Sequence, residues 1–279
     1  MGVIDLTQPL TPAMPHWPGD PFTRIDVAAD YSPNGYCLHR VCVGEHSGTH
    51  FGAPRHFLAR GRGMTDFKAG DFILAAAVIP IEAACRTDPD HLLSIDEVNR
   101  AESRWGPVPR DSVVLISTGW ARFWNEPERY LGAGSLHFPG ISIDAAEYLV
   151  HKCGVRGLGI DTAGVDGGRS TRFQVNLLLC EHGLFHLENL ARLDLVAARG
   201  ATLFIGALPI PGGCGSPCRV LALSHDFLLP GAIQEHIGDD FRLSDVGQDN
   251  GDPNPAHSGV EHTRDGEREG RRQKRRGDG

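Results

Sequence analysis

Six short apolar runs decide what this chain can fold into. Val41-Cys42-Val43, Ala75 to Ile81, Val113 to Ser117, Val155 to Ile160, Ala201 to Ile205 and Val220 to Leu223 are rich in β-branched residues and lie between long Gly/Pro-rich loops. Such runs read as buried strands. Three helices are expected among them. Ser94-Ile95-Asp96-Glu97 carries the S-x-x-E pattern, in which each side chain satisfies an otherwise unpaired backbone donor at a helix start. Ile143, Ala146, Leu149 and Val150 recur at helical spacing, and Asp144 and Glu147 suit the positive first turn. A third helix is expected from Val175 to Gly183. Strands outnumber helices, which predicts an α/β domain with a mixed, sheet-rich core.

At 279 residues, with 41% apolar and 22% charged residues, the chain can bury a full core. A formal net charge of -8 disfavours nucleic acid as a partner, because phosphate neutralisation needs a basic surface. No apolar run approaches the roughly 20 residues that cross a bilayer. The stretch Met1-Gly2-Val3-Ile4-Asp5-Leu6 lacks the basic and apolar regions of a signal peptide, so a cytoplasmic location is expected. Seven cysteines, an odd number spread over a long chain, predict reduced thiols; Cys214 and Cys218 alone flank a turn where they could pair or bind metal. From about Gly247 onward apolar residues almost vanish, and residues 237–279 are expected to form a disordered charged tail behind a single domain over 1–236. The basic run Arg271-Arg272-Gln273-Lys274-Arg275-Arg276 is expected to be solvated.

Chemistry concentrates in Glu45-His46-Ser47-Gly48-Thr49-His50-Phe51-Gly52-Ala53-Pro54-Arg55-His56-Phe57. His46 and His50 stand four apart, so both imidazoles can reach one ion from a helical turn or a tight loop. Gly48, Gly52 and Pro54 favour the loop. One histidine would be read as a side chain with a local hydrogen bond. Three so close together point to a metal, and imidazole favours zinc while also serving manganese, iron and nickel.

The segment resembles the H-x-G-T-H-x-D-x-P-x-H-F signature of the cyclase family of metal-dependent hydrolases, which includes bacterial kynurenine formamidase, isatin hydrolase and polyketide cyclases. Further stretches resemble that family in order: Met14-Pro15-His16-Trp17-Pro18-Gly19-Asp20-Pro21, Leu115 to Trp120 (L-I-S-T-G-W), His137-Phe138-Pro139-Gly140-Ile141, Gly159-Ile160-Asp161-Thr162, Leu187-Glu188-Asn189-Leu190, and Leu208-Pro209-Ile210 through Arg219. The resemblance implies a swivelling β/β/α single domain, a homodimer or homotetramer, and a small-molecule substrate. It implies that His46, His50 and Glu188 are metal ligands and that His56 is the catalytic base or the ligand of a second ion. Trp17, Trp120 and His137 are candidates to meet substrate.

Two positions depart from the family pattern. The signature Asp is Gly52, and a later F-P-x-H element reads Phe173-Gln174-Val175-Asn176, so its histidine is Asn176. Both losses fall on a second ion. What remains is a two-histidine, one-carboxylate set with room for water, expected to hold one divalent ion, zinc first and manganese second. His182 or His186 could replace a lost ligand, although positions near a helix end are expected to face solvent. Asp161 and Asp166 could support a histidine or form turns. On this reading the chain is a hydrolase of a formamide, lactam or other small carbonyl compound, and Gly52→Asp is expected to raise metal affinity. A binding protein for an aromatic metabolite with a degraded metal site, and a polyketide-type cyclase, are the alternatives.

Overall fold

Val113-Val114-Leu115-Ile116 is apolar at every position because both faces of its strand are covered, and its alternate residues enter two different cores. Val113 and Leu115 join Phe51, Leu187, Leu203 and Val220, whereas Val114 and Ile116 join Val98, Leu149, Leu158 and Leu179. The computed structural model describes residues 2–224. Its strands are β1 (Val3–Asp5), β2 (Arg24–Ala29), β3 (Leu38–Cys42), β4 (His50–Gly52), β5 (Ile73–Pro80), β6 (Leu92–Leu93), β7 (Val113–Ser117), β8 (Gly140–Ile141), β9 (Gly157–Ile160), β10 (Phe185–Glu188), β11 (Ala201–Ala207) and β12 (Gly215–Ser224).

The main sheet runs β1-β12-β11-β5-β7-β9-β10-β4, and β4 pairs in turn with β12. The ring from β12 round to β4 therefore closes as a seven-stranded barrel-like sheet. β12 makes the closure possible by its length: Gly215 to Pro217 pair with β4, and Leu221 to Leu223 pair with β1 on the same edge. β5, β7, β9 and β10 are mutually parallel, and the remaining pairings are antiparallel. The core around Phe51, Leu115 and Leu187 fills the ring. The second core lies outside it, under the helices Ile95–Trp105, Ile143–Glu147 and Gln174–Glu181. The mixed, sheet-rich α/β architecture is thus as the sequence predicts.

All three expected helices form. Ser94 Oγ accepts from Glu97 N, and Glu97 Oε2 accepts from Ser94 N at 2.8 Å. The helix from Ile143 continues through Tyr148–Cys153 with wider turns and ends at Gly154 in the left-handed region. Six strands lie outside the expected runs, β1, β2, β4, β6, β8 and β10, and two of them carry site residues. The stretch His50–Gly52 is strand β4 rather than a loop, and Phe185–Glu188 is strand β10 rather than the exposed end of a helix. No helix among the described residues is long and apolar enough to cross a membrane. The expected tail over 237–279, and the end of the expected domain at 236, lie outside the described residues.

The capping box is testable in isolation from the site. Ser94→Ala is expected to cost about 1 kcal/mol, read as a lowered urea midpoint with unchanged slope.

Candidate active site

Strand alternation sets which side chains can meet. β4 and β10 are antiparallel with Glu188 opposite His50, Leu187 opposite Phe51 and His186 opposite Gly52. Phe51 and Leu187 point into the barrel core, so by the period of two His50, His186 and Glu188 share the outer face. On the other side of β4, Gly215 lies opposite Gly52. Both glycines leave space for histidines. A Cβ on Gly215 would stand 2.5 Å from His46 Cε1, and one on Gly52 would stand 1.9 Å from His186 Nε2.

His50 is held by one polar bond. Its Nδ1 donates to Gly48 O at 2.9 Å, because a carbonyl can only accept. Its Nε2 is the ring nitrogen turned toward Glu188. It is buried without a hydrogen bond, yet it lies 3.1 Å from Glu188 Oε2. Two electronegative atoms this close, out of water, call for positive charge, which a ring proton or a divalent ion held by both would supply. Glu188 Oε1 accepts from Val165 N at 2.9 Å. Burial alone would raise the Glu188 pKa, but His186 and His50 beside it, with the Val165 amide, hold it at about 2. The carboxylate is therefore ionised.

The imidazoles are biased the other way. Burial, reinforced by His50, His56 and His186, drives the His46 pKa far below its ordinary value. Burial also lowers His186 to about 4, against the pull of Glu188, and lowers His56. Neutral rings offer lone pairs, so the cluster joins neutral nitrogen donors to one anionic oxygen. The donor atoms of His46, His50 and His186 all lie within 4.8 Å of one another. His56 stacks on His46 with ring centroids 3.8 Å apart. Behind them Cys214 Sγ lies 3.3 Å from His46 Nε2 and donates to Glu45 Oε2 at 3.0 Å. Burial, then Glu45, push that thiol up to about 12, so it stays protonated.

A cavity of about 260 Å³ opens over the cluster, lined by Trp17, Phe57 and Phe173 on one side and by Asp20, Asp166 and Asn176 on another. Trp17 and Phe57 flank Phe173 at centroid distances of 6.1 and 5.6 Å, which gives an aromatic wall. Asn176 Nδ2 donates to Asp166 Oδ2 at 3.0 Å, which fixes the amide orientation. Its Oδ1 is buried and unpartnered.

The structure brings His46, His50, His56, Glu188, Trp17 and Asn176 to this cavity, with Gly52 in the strand beneath it. It does not bring Trp120 or His137. Trp120 is buried against Phe123 and donates from Nε1 to Tyr130 O, and His137 pairs with Asp90 at 2.9 Å. Both belong to the packing of neighbouring segments, so their expected contact with substrate is not supported by this cavity. His182 bonds Leu178 O and meets His151 edge-on, away from the site. His186, expected to face solvent, is 2% exposed and lines the cavity. Asp161 does not support a histidine; it accepts from the Thr118 and Trp120 amides and the Thr118 hydroxyl, which locks T-G-W to G-I-D-T. Cys218 lies in the barrel core, so the Cys214–Cys218 pairing does not occur. The sequence reading named Cys214 only as a partner of Cys218, and it gave Glu45 and Asp20 no role although both stand in the quoted motifs. Phe185-His186-Leu187-Glu188 did carry a signal, the alternation of a half-buried strand.

Comparison with known proteins agrees with this geometry. The family model described as "Putative cyclase" matches residues 4–167. Isatin hydrolase of Roseibium aggregatum is 34% identical over 240 residues, covering 79% of this chain and 91% of its own length. Kynurenine formamidase of Geobacillus thermodenitrificans is 33% identical over 221 residues, covering 77% and 94%. Among solved structures, isatin hydrolase A from Ralstonia solanacearum superposes with a TM-score of 0.75 at 31% identity, over 80% of this chain and 91% of that one. With a family model matching more than half of it and relatives above 30% identity along more than three quarters of it, the chain belongs to the cyclase family.

Proposed function

We propose that this protein is a metal-dependent hydrolase that opens a C–N bond in a small aromatic formamide or lactam. The single observation that carries the reading is the buried His50 Nε2 facing the ionised Glu188 Oε2 at 3.1 Å on the floor of an aromatic-walled cavity. His46, His50 and Glu188 would hold one divalent ion, zinc in the first place and manganese in the second. When bound, such an ion polarises a carbonyl and lowers the pKa of water from about 15.7 to roughly 7.

The chain's own groups supply the rest. His56 lines the cavity, and its lowered pKa keeps it neutral near pH 7, so it can accept a proton from attacking water and return it to the departing nitrogen. Trp17, Phe57 and Phe173 offer flat apolar surface to an aryl ring. Asn176 Oδ1 has no partner among the described residues and suits a substrate N–H. An aryl formamide and an aryl lactam both carry that N–H beside the carbonyl, and the two relatives named above are an isatin hydrolase and a kynurenine formamidase. The exposed apolar ribbon of β2 and β3, with Val27, Leu38 and Val41 all more than half exposed, suits burial in a homodimer or homotetramer.

Purified protein expressed with added zinc or manganese is expected to carry one ion per chain by elemental analysis and to turn over isatin or N-formylkynurenine. Less than about a tenth of an ion per chain would favour instead a binding protein for aromatic metabolites. His50→Ala is expected to abolish metal content. His56→Ala is expected to retain the metal while losing about 10²- to 10⁴-fold in turnover; full activity in either variant defeats the assignment. Asn176→Ala is expected to lower kcat/KM on the N–H substrate by roughly tenfold, the worth of one hydrogen bond. An oxygen-ester analogue should lose nothing, and equal loss on both would show a merely structural role.

A further inference from the structure

The family signature carries an aspartate where this chain has Gly52, yet the space beside Gly52 is filled by His186. The ring occupies it closely: a Cβ on Gly52 would stand 1.9 Å from His186 Nε2, 2.2 Å from Cε1 and 2.6 Å from Cδ2. The two residues are register partners across β4 and β10. Their neighbours on the same face, His50 and Glu188, are also register partners and both carry donor atoms. A donor at position 186 therefore faces the point that a donor at position 52 would face.

An imidazole is a poor filler for a buried hole. His186 is 2% exposed, and its polar neighbour is Glu188 Oε2 at 3.8 Å, beyond hydrogen-bond reach. A leucine would fill the same space without an imidazole that makes no hydrogen bond among the described residues. The nitrogens acquire a purpose if one of them binds what His46 and His50 bind, and the three donor atoms already lie within 4.8 Å of one another.

We infer that His186 is a metal ligand, supplied from β10 in place of the carboxylate that β4 lacks. The inference rests on the metal-centre reading of the site. The resulting donor set is three imidazoles and one carboxylate. It carries one negative charge, and nitrogen-rich donors favour zinc or cobalt over manganese. A neutral imidazole offers one lone pair, so it cannot bridge two ions as a carboxylate can, and one ion per chain follows. The geometry also reverses the expectation that Gly52→Asp strengthens the site, because the new side chain collides with the His186 ring.

The test is titration of metal-stripped full-length protein with cobalt(II), read by its visible absorption bands and by competition with zinc(II). His186→Leu keeps the space filled, and His186→Gln serves as a second variant that retains polarity. Each is expected to keep the thermal midpoint of the metal-free protein while weakening cobalt and zinc. The weakening should exceed the about 10- to 100-fold cost of losing an outer partner of a ligand, and the cobalt bands should shift. Gly52→Asp alone is expected to lose metal, and Gly52→Asp/His186→Ala to regain it with a changed spectrum and a relative gain in manganese affinity. Unchanged cobalt affinity and spectrum in both His186 variants would overturn the inference. His50→Ala separates the two levels: if it abolishes binding while the His186 variants do not, the metal centre stands and His186 is only packing. If wild-type protein and all variants alike bind no cobalt, both fall.

Discussion

The register of β4 against β10 is the constraint on which the site depends. Strand side chains alternate between faces, so placing Phe51 and Leu187 in the barrel core sends His50, His186 and Glu188 outward together. A slip of one residue would bury the donors among Leu115 and Leu203 and expose two large apolar side chains. Each of those is worth about 1.5–3 kcal/mol when fully buried. The hydrophobic pattern thus does the positioning, and the chemistry follows from it. Closure of the ring by β12 fixes β4 from its other edge, and Gly215 there admits the ring of His46.

Behind the donors, the motif residues that do not touch the cavity form a connected support. Asn189 Nδ2 donates to Gly48 O, the same carbonyl that accepts from His50 Nδ1. Asn189 Oδ1 accepts from the buried Tyr130 hydroxyl at 2.8 Å, with Asp161 O also within reach of that one proton at 3.1 Å, while the Asp161 carboxylate ties down Thr118 and Trp120. The L-E-N-L, G-I-D-T and T-G-W stretches are therefore one hydrogen-bonded unit that sets the tautomer and tilt of a single imidazole. Such supports are what hold a ligand in productive geometry. Trp120 belongs to this unit, which explains its place in the motif without a contact to substrate.

Much of this was legible in the sequence, and the remainder was hidden for definable reasons. Long apolar runs such as Val113 to Ser117 identify themselves, and Ser94 with Glu97 marks its helix start without help from tertiary contacts. The histidine motif named His46, His50 and His56, and the matching L-E-N-L stretch named Glu188. β4 escaped because Gly and Pro flank a strand of only three residues, and its pairing partners lie far along the chain. His186 was named as a possible replacement ligand but was expected at an exposed helix end, whereas it is buried in β10. Its meaning lies in what stands opposite it, and no local pattern records that Gly52 is the residue across the strand pair. His137 shows the converse: it sits in a matching motif, but its partner is Asp90.

The energetics of the cluster explain why it reads as functional rather than structural. Buried polar groups without partners cost stability, and buried charge costs more unless paired. Here a carboxylate held at about 2 shares a cluster with His46 and His186, whose burial suppresses their protonation. A fold selected for stability alone would place apolar side chains on this face, as it does one residue away at Phe51 and Leu187. Instead the strand pair concentrates lone pairs around one anion and shields them from water beneath Trp17, Phe57 and Phe173. That arrangement sets an anion among nitrogen lone pairs, and a divalent cation would satisfy several of them at once.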